Sequence, residues 1–104
     1  MSIHRKWECS FYEDEGGNVR INEVDLGDIW ENTVAEKVFY IKNDSEYIVK
    51  DVTVESVNTE VKVVKHPKRV IPNIVYPIEV QWTPNVLSLS LHDELNINGV
   101  MVIR

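Results

Sequence analysis

Hydrophobic and polar residues alternate along much of this chain, which is the pattern of half-buried β-strands. The alternation is clearest at 78–83, where Ile78, Val80 and Trp82 are each followed by a polar residue. Similar segments recur at a spacing of roughly ten residues, and no segment has a convincing helical period. The sequence therefore predicts an all-β protein, an immunoglobulin-like β-sandwich of roughly seven to nine strands.

The other predicted strands share this alternation, and turn-forming residues separate them. They are 3–12, 19–26, 34–44, 47–57, 60–65, 86–91 and 95–104. A near-continuous apolar run at Val38–Ile41 predicts either a strand with both faces covered or a strand in the middle of a sandwich. Gly99 stands where a bulge would restore the register of the last strand. Such a bulge would bring Val100 and Val102 onto the face of Ile97.

Three prolines surround the strand predicted at 78–83. Proline lacks a backbone N–H, so it is tolerated at strand ends, edges and bulges rather than inside a central strand. We interpret Pro72 as ending the preceding segment, Pro77 as opening the strand and Pro84 as forcing the chain to leave it. The prolines are therefore interpreted as architectural, and they would also keep neighbouring chains from adding to the strand ends.

Length, charge and cysteine content exclude several classes of protein. The chain has 104 residues, enough for one domain, and its single cysteine, Cys9, permits no internal disulfide. A formal charge of -6 argues against a nucleic-acid partner, because phosphate binding needs a basic face. The sequence shows no secretory signal and no membrane span, so we expect a reducing compartment such as the cytoplasm of a cell or of an infected host.

No catalytic or cofactor-binding motif is recognisable, and we expect neither enzymatic activity nor a cofactor. Cys9 falls on the apolar face of its predicted strand, as a small buried hydrophobic residue would. The acidic cluster Glu13–Glu15 has oxygen ligands of the kind that calcium binds, but it lacks the spaced oxygens of a calcium loop. A solvated hairpin turn is the preferred interpretation of residues 13–18, and no metal site is predicted.

The segment 62–69 is a candidate contact surface, because it is basic in an otherwise acidic chain. It includes Lys65, Lys68 and Arg69. It would either meet an acidic patch on a partner or on another copy, or guard a sheet edge against aggregation. The guarding role is the preferred interpretation.

The three tryptophans are the other candidates for a contact surface. Trp82 is in strand phase with its apolar neighbours and is predicted to lie in the core. Trp7 is in strand phase with Ile3 and Phe11, and two positions stay open for it, the core and an interface. Trp30 falls in a predicted loop, where a large aromatic side chain either packs over the end of the sandwich or contacts a partner, and it is the candidate interface anchor to be tested.

Five segments of the chain, taken in order, resemble the motifs of a known family. They are VDLGDI at 24–29, VFYIKND at 38–44, YIVKDVTV at 47–54, VIPNIVYPIEVQWTP at 70–84 and LNING at 95–99. In this order they resemble the immunoglobulin-like ASPM–SPD-2–hydin family, which is related to the major sperm protein fold. Its characteristic positions are occupied here by Leu26-Gly27, Asn43, Pro72 and Trp82-Thr83-Pro84. Asn73 stands where the family usually has glycine.

The resemblance implies a scaffold or docking module, since no catalytic site is associated with that fold. It covers residues 24–103. We interpret residues 1–23 as an added N-terminal strand or arm and residues 24–104 as the sandwich, within one compact domain. An arm of this kind could pair with the sheet edge of a neighbouring subunit.

The function that we expect is a non-enzymatic structural or docking subunit of a larger assembly. A component of a tailed-phage particle is preferred, such as a head decoration or a tail or neck protein, located in the virion or the host cytoplasm. Its partners would be neighbouring protein subunits, including copies of itself, and neither nucleic acid nor membrane. Two alternatives stay open: a cellular adaptor that binds a protein or peptide, and a carbohydrate-binding module that presents Trp30 or Tyr47 on a flat surface.

Overall fold

The computed structural model describes residues 2–24, 34–57, 60–83 and 94–102, and every regular element within them is a β-strand. The strands are β1 (Ser2–Arg5), β2 (Cys9–Tyr12), β3 (Arg20–Ile21), β4 (Ala35–Asn43), β5 (Ile48–Ser56), β6 (Val61–Lys65), β7 (Val75–Trp82) and β8 (Glu94–Val102). They form a three-stranded sheet in the order β1-β8-β5 and a five-stranded sheet in the order β3-β2-β4-β7-β6. The predicted all-β sandwich is confirmed. Nothing in the described part of the chain forms a helix long and apolar enough to cross a membrane.

β4 lies at the centre of the five-stranded sheet, antiparallel to both β2 and β7. Phe39 and Ile41 are fully buried, whereas Val38 is 40% exposed. Successive side chains of a strand point to opposite faces, so only one face of β4 packs on the core. Of the two alternatives predicted for the run at Val38–Ile41, the central position is confirmed, and the covering of both faces is wrong.

The core lies between the two sheets and is one cluster of buried apolar side chains. Phe11 of β2 and Phe39 of β4 have ring centroids 6.2 Å apart. Trp82 is fully buried, as predicted, together with Ile78 and Val80 of the same strand. Burying an aliphatic side chain such as that of Ile78 or Val80 stabilises a fold by roughly 1.5–3 kcal/mol. This packing decides which residues of each strand remain on the outside.

The N-terminal segment 3–12 was predicted as one strand, and this is wrong. β1 belongs to the three-stranded sheet and β2 to the five-stranded sheet, and residues 6–8 bend between them. Arg5 closes the bend, because its Nη1 donates a hydrogen bond to the carbonyl of Cys9 at 2.8 Å. Trp7 and Cys9 are buried, so the segment contributes to both sheets and to the core.

A β-bulge interrupts the pairing of β5 with β8. Two residues of β5, Asp51 and Val52, lie opposite Gly99 alone, and Asp51 has a positive φ of 52°. A bulge was predicted at this point, but with the extra residue in β8 instead of β5. Because β8 keeps its regular alternation, Val100 and Val102 lie on the outside of the sheet and not on the core face as expected.

Pro77 does not open β7, because that strand begins at Val75. Pro77 pairs with Tyr40 of β4 on one side. On the other side, β6 pairs with β7 only from Glu79 to Trp82. No described strand therefore lies where the missing N–H of Pro77 would be needed. Pro72 precedes β7, as expected for a residue that ends the segment before it.

Some predictions concern residues outside the described part of the chain. They are the strand at 86–91, the exit at Pro84 and the interface anchor Trp30. Asn73, which stands where the resembled family has glycine, is described and has a positive φ of 65°. This is the left-handed region, which glycine and asparagine tolerate better than other residues do.

Candidate functional site

The predicted interface residues do not gather on one surface. Trp7 is only 7% exposed and packs in the core. Lys65 at the end of β6 is exposed, as are Lys68 and Arg69 after it. Between these positions the chain passes from the five-stranded sheet to the edge of β5 in the other sheet, so the basic residues are spread over both.

The segment after β6 closes the outer edge of β5. Val70 and Val49 exchange two backbone hydrogen bonds, at 2.8 and 3.0 Å. The carbonyl of Lys68 accepts a bond from the N–H of Val52 at 2.9 Å. These bonds use backbone groups of β5 that would otherwise face another chain. This position is compatible with a guarding role, and it leaves the side chain of Arg69 exposed.

Asn43, the last residue of β4, organises the turn into β5. Its Nδ2 donates to the carbonyl of Tyr47 at 2.7 Å and to that of Val70 at 3.2 Å. Its Oδ1 accepts from the backbone N–H of Ser45 at 2.9 Å and from the Ser45 hydroxyl at 2.6 Å. Asn43 is fully buried, so these bonds are shielded from water. The Asn43 side chain thereby joins the backbone of Tyr47 to the backbone of Val70, the residue that follows Arg69.

A cleft of about 720 Å³ opens beside this turn. We call its lining, together with Val100, the β5–β8 patch: Glu46, Tyr47, Ile48, Lys50, Arg69, Val100 and Val102. Tyr47, Val100 and Val102 are 38%, 50% and 36% exposed. Ile48 pairs with Val102 across the two strands. Lys50 pairs with Val100 two residues further along, and therefore on the same side of the sheet. The patch combines exposed apolar side chains with cations.

A second cleft, of about 500 Å³, lies where the chain crosses from β1 to β2. Its lining consists of Arg5, Lys6, Trp7, Glu8, Cys9, Arg20 and Asp44. The Nε1 of Trp7 is buried and has no acceptor among the described residues. Burial raises the pKa of the Cys9 thiol to about 12, although the Arg5 cation acts in the opposite direction. Cys9 is therefore a neutral thiol near pH 7, and a poor nucleophile.

The predicted hairpin turn at 13–18 is confirmed. The Asp14 carboxylate accepts hydrogen bonds from the backbone N–H groups of Val19 at 2.7 Å and of Asn18 at 2.9 Å. These bonds, that of Val19 foremost, hold the pKa of Asp14 below its ordinary value. Within the described ranges, no group of three or more His, Cys, Asp or Glu side chains is placed to hold a metal ion.

The β5–β8 patch offers apolar contact and charge pairing. Sequence reasoning named Arg69 and Tyr47 for different reasons, and it did not predict that they border one cleft. It missed Val100 and Val102, because it placed the bulge in β8. The signal that would have found these two valines is an uninterrupted alternation from Leu95 onwards, which puts both on the outside.

No family model, no curated protein and no solved structure matches this chain. The resemblance of residues 24–103 to the ASPM–SPD-2–hydin family therefore stays an expectation from the motifs.

Proposed function

We propose that this chain is a non-enzymatic docking subunit of a larger assembly and that it contacts a protein partner through the β5–β8 patch. The supporting observation is that Tyr47, Val100 and Val102 are exposed beside the cations Lys50 and Arg69. Tyrosine and arginine are enriched among the residues that dominate protein interfaces. Exposed apolar side chains that lie together are typical of contact surfaces.

The charge of the patch differs from that of the whole chain. The formal charge of the chain is -6, whereas the patch has Lys50 and Arg69 against one carboxylate, that of Glu46. This difference favours a partner whose acidic groups surround an apolar centre. Binding should weaken as salt is added, because salt screens exposed charges.

The setting that we propose is a virion, with neighbouring structural proteins or other copies of this chain as partners. The support is the resemblance of residues 24–103 to immunoglobulin-like domains, which tailed phages use as particle components. A cellular adaptor is the second candidate, because the same patch would serve a protein or peptide in solution. A carbohydrate-binding module has less support, since Tyr47 borders a cleft and not a flat surface.

Density-gradient sedimentation of a native lysate tests the proposal, with the 12.1 kDa chain followed by mass spectrometry. Co-migration with a large particle at a fixed copy ratio is the expected result. Migration as a small free species would contradict the virion setting and favour the adaptor.

Two charge reversals show whether the patch makes the contact. Arg69→Glu should release the chain from the particle. Lys62→Glu makes the same change of charge at an exposed position of β6, and it should leave co-migration intact. If both variants co-migrate like the natural chain, the β5–β8 patch is not the contact.

A further inference from the structure

The sheet edges of this protein differ in their protection against added strands. β3 is only two residues long, and residues 68–70 form backbone hydrogen bonds along β5. β6 has the exposed cations Lys62 and Lys65, and its register shifts between Val63 and Lys65. Short strands, covering segments, lysines and bulges are the features that keep another chain from pairing with an edge.

β8 has an edge of a different kind. β1 pairs with it only from Glu94 to Ile97. Residues 98–102 of β8 extend beyond this pairing, and no other described strand lies beside them on that side. We call residues 98–102 the open edge. Its sequence, Asn-Gly-Val-Met-Val, has no charged residue and no proline, and the bulge at this level lies in β5.

The open edge exists because β1 leaves the sheet early. After Arg5 the chain bends towards the other sheet, and Trp7 is buried in the core. The Nε1 of Trp7 lies 3.2 Å from the position that a Cβ atom on Gly99 would take. Trp7 thus fills the inner side of β8 at the level where β1 stops.

We propose that an extended segment of a partner protein adds to the open edge of β8 as a further strand, in line with β1. This inference rests on the docking function proposed above, and it names the mode of binding. In strand addition, main-chain hydrogen bonds supply affinity, and alternate side chains supply specificity. The five residues of the open edge span roughly 17 Å, which suits a short peptide segment.

The side chains around the open edge indicate the chemistry of that segment. Val100 and Val102 stand on the outer side and favour apolar neighbours. Trp7, whose indole lies against Gly99, also lines the cleft at the crossing from β1 to β2, and this cleft has three cations against two carboxylates. This balance favours acidic side chains at alternate positions. The partner segment should therefore alternate apolar with acidic residues.

A second copy of this chain fits the open edge less well. A contact confined to a strand of this length buries far less than the roughly 800 Å² per partner of a stable interface. Two copies, each with a formal charge of -6, also repel one another. A flexible peptide segment needs only the strand pairing itself, and its acidic side chains would face the cleft at Trp7, where cations outnumber carboxylates.

Titration of the isotope-labelled protein with a synthetic peptide tests the proposal. The probe is a fluorescein-labelled peptide of about ten residues in which valine and aspartate alternate. One control peptide has lysine in place of aspartate, and the other is N-methylated at every second backbone nitrogen, which removes hydrogen-bond donors. The aspartate peptide should bind, and the amide protons of the open edge that face it should exchange at least roughly ten-fold more slowly, while those of β6 do not change.

Two matched substitutions locate the binding. Val100→Glu removes an apolar contact and adds a like charge, so the affinity for the aspartate peptide should fall roughly ten-fold or more. Val64→Glu is the control, because Val64 is 44% exposed on the edge strand β6. Both positions are exposed, so both variants should keep the unfolding midpoint of the natural chain. Lys6→Glu should shift the preference towards the lysine peptide.

Several outcomes would overturn strand addition: no binding, equal binding of the N-methylated peptide, or slowed exchange elsewhere than in the open edge. A free protein that sediments as a dimer with these amides protected would also overturn it, because a second copy would then be the occupant. If Arg69→Glu releases the chain from its particle but the peptide does not bind, the docking function stands and strand addition fails. If the peptide binds but the Arg69→Glu variant stays on the particle, the docking contact was assigned to the wrong surface.

Discussion

The indole nitrogen of Trp7 lies 3.2 Å from the position that a Cβ atom on Gly99 would take, and a methyl group of Val49 lies closer still. Two features of the fold meet here. β1 has left the sheet just before Trp7, and the bulge of β5 lies opposite Gly99. Only glycine lets the indole and the bulged strand approach β8 so closely. This contact serves the core, while the other side of β8 stays exposed.

Gly99→Ala should lower the free energy of unfolding by about 1–3 kcal/mol, the usual effect of adding atoms to a well-packed core. Chemical unfolding measures the loss as a shift of the midpoint. Gly16→Ala is the control, because a Cβ atom there meets only side-chain atoms of Asn18 and Asp14 in an exposed turn. Equal midpoints for the two variants would contradict the close packing at Gly99.

Asn43→Ala removes four hydrogen bonds from the turn between β4 and β5. The carbonyls of Tyr47 and Val70 and the N–H of Ser45 lose these partners, so we expect stability to fall by about 1–3 kcal/mol. Partner binding should weaken as well, because the same bonds position Tyr47. Asn22→Ala, at an exposed position, is the control for both measurements. Binding that is unchanged while stability falls would show that the turn is not part of the contact.

The pKa of Asp14 should lie below its ordinary value in the folded protein, because the N–H groups of Val19 and Asn18 donate to its carboxylate. A lowered folded pKa gives stability that is present above the unfolded pKa, about pH 4. That stability is lost as the pH falls through the folded value. An NMR titration of the carboxyl carbon measures the pKa directly. Asp14→Asn should flatten the acid limb of the stability curve, and an unaltered limb would contradict the role of these bonds.

Alternation along the sequence predicted the core residues of β7 and failed in the first strand. Ile78, Val80 and Trp82 share a face in any regular strand, so local pattern is sufficient there. In the N-terminal segment, Ile3 and Trp7 also point to the core, although the chain changes sheets around Trp7. Because both sheets face the same core, the alternation continues through the crossing and does not reveal it.

The candidate site was less predictable than the strands, because it depends on long-range register. Lys50 and Val100 are neighbours only because the extra residue of the bulge lies in β5. Tyr47 lies beside the segment that contains Arg69 because Asn43 also donates a hydrogen bond to the carbonyl of Val70. Asn43 and Val70 are 27 positions apart in the sequence. No local pattern contains either relationship.

Cys9 should not react with iodoacetamide while the protein is folded. Burial raises the pKa of its thiol to about 12. At about pH 8.5 the folded chain should then contain roughly a thousand-fold less thiolate than the unfolded chain. The stability that the neutral thiol provides is complete below the ordinary thiol pKa and is lost as the pH rises towards about 12. Mass spectrometry of the alkylated protein, with and without denaturant, measures the difference, and rapid labelling of the folded chain would contradict it.

Deletion of residues 1–12 should unfold the protein, because this segment supplies β1, β2 and three buried apolar side chains, Trp7, Cys9 and Phe11. Truncating one large aromatic residue in a core typically lowers stability by roughly 3–5 kcal/mol. The deletion removes two aromatic core residues, Trp7 and Phe11, together with β2, the strand beside β4. The resulting loss of stability is comparable with the entire stability of about 5–15 kcal/mol of a small domain. Dispersion of the amide NMR spectrum measures whether a fold remains. His4→Ala is the control, since it removes only an exposed contact between the imidazole Nε2 and the Glu94 carboxylate and should change stability little. A shortened chain that stays folded but no longer assembles would instead show that these residues act as an arm between subunits.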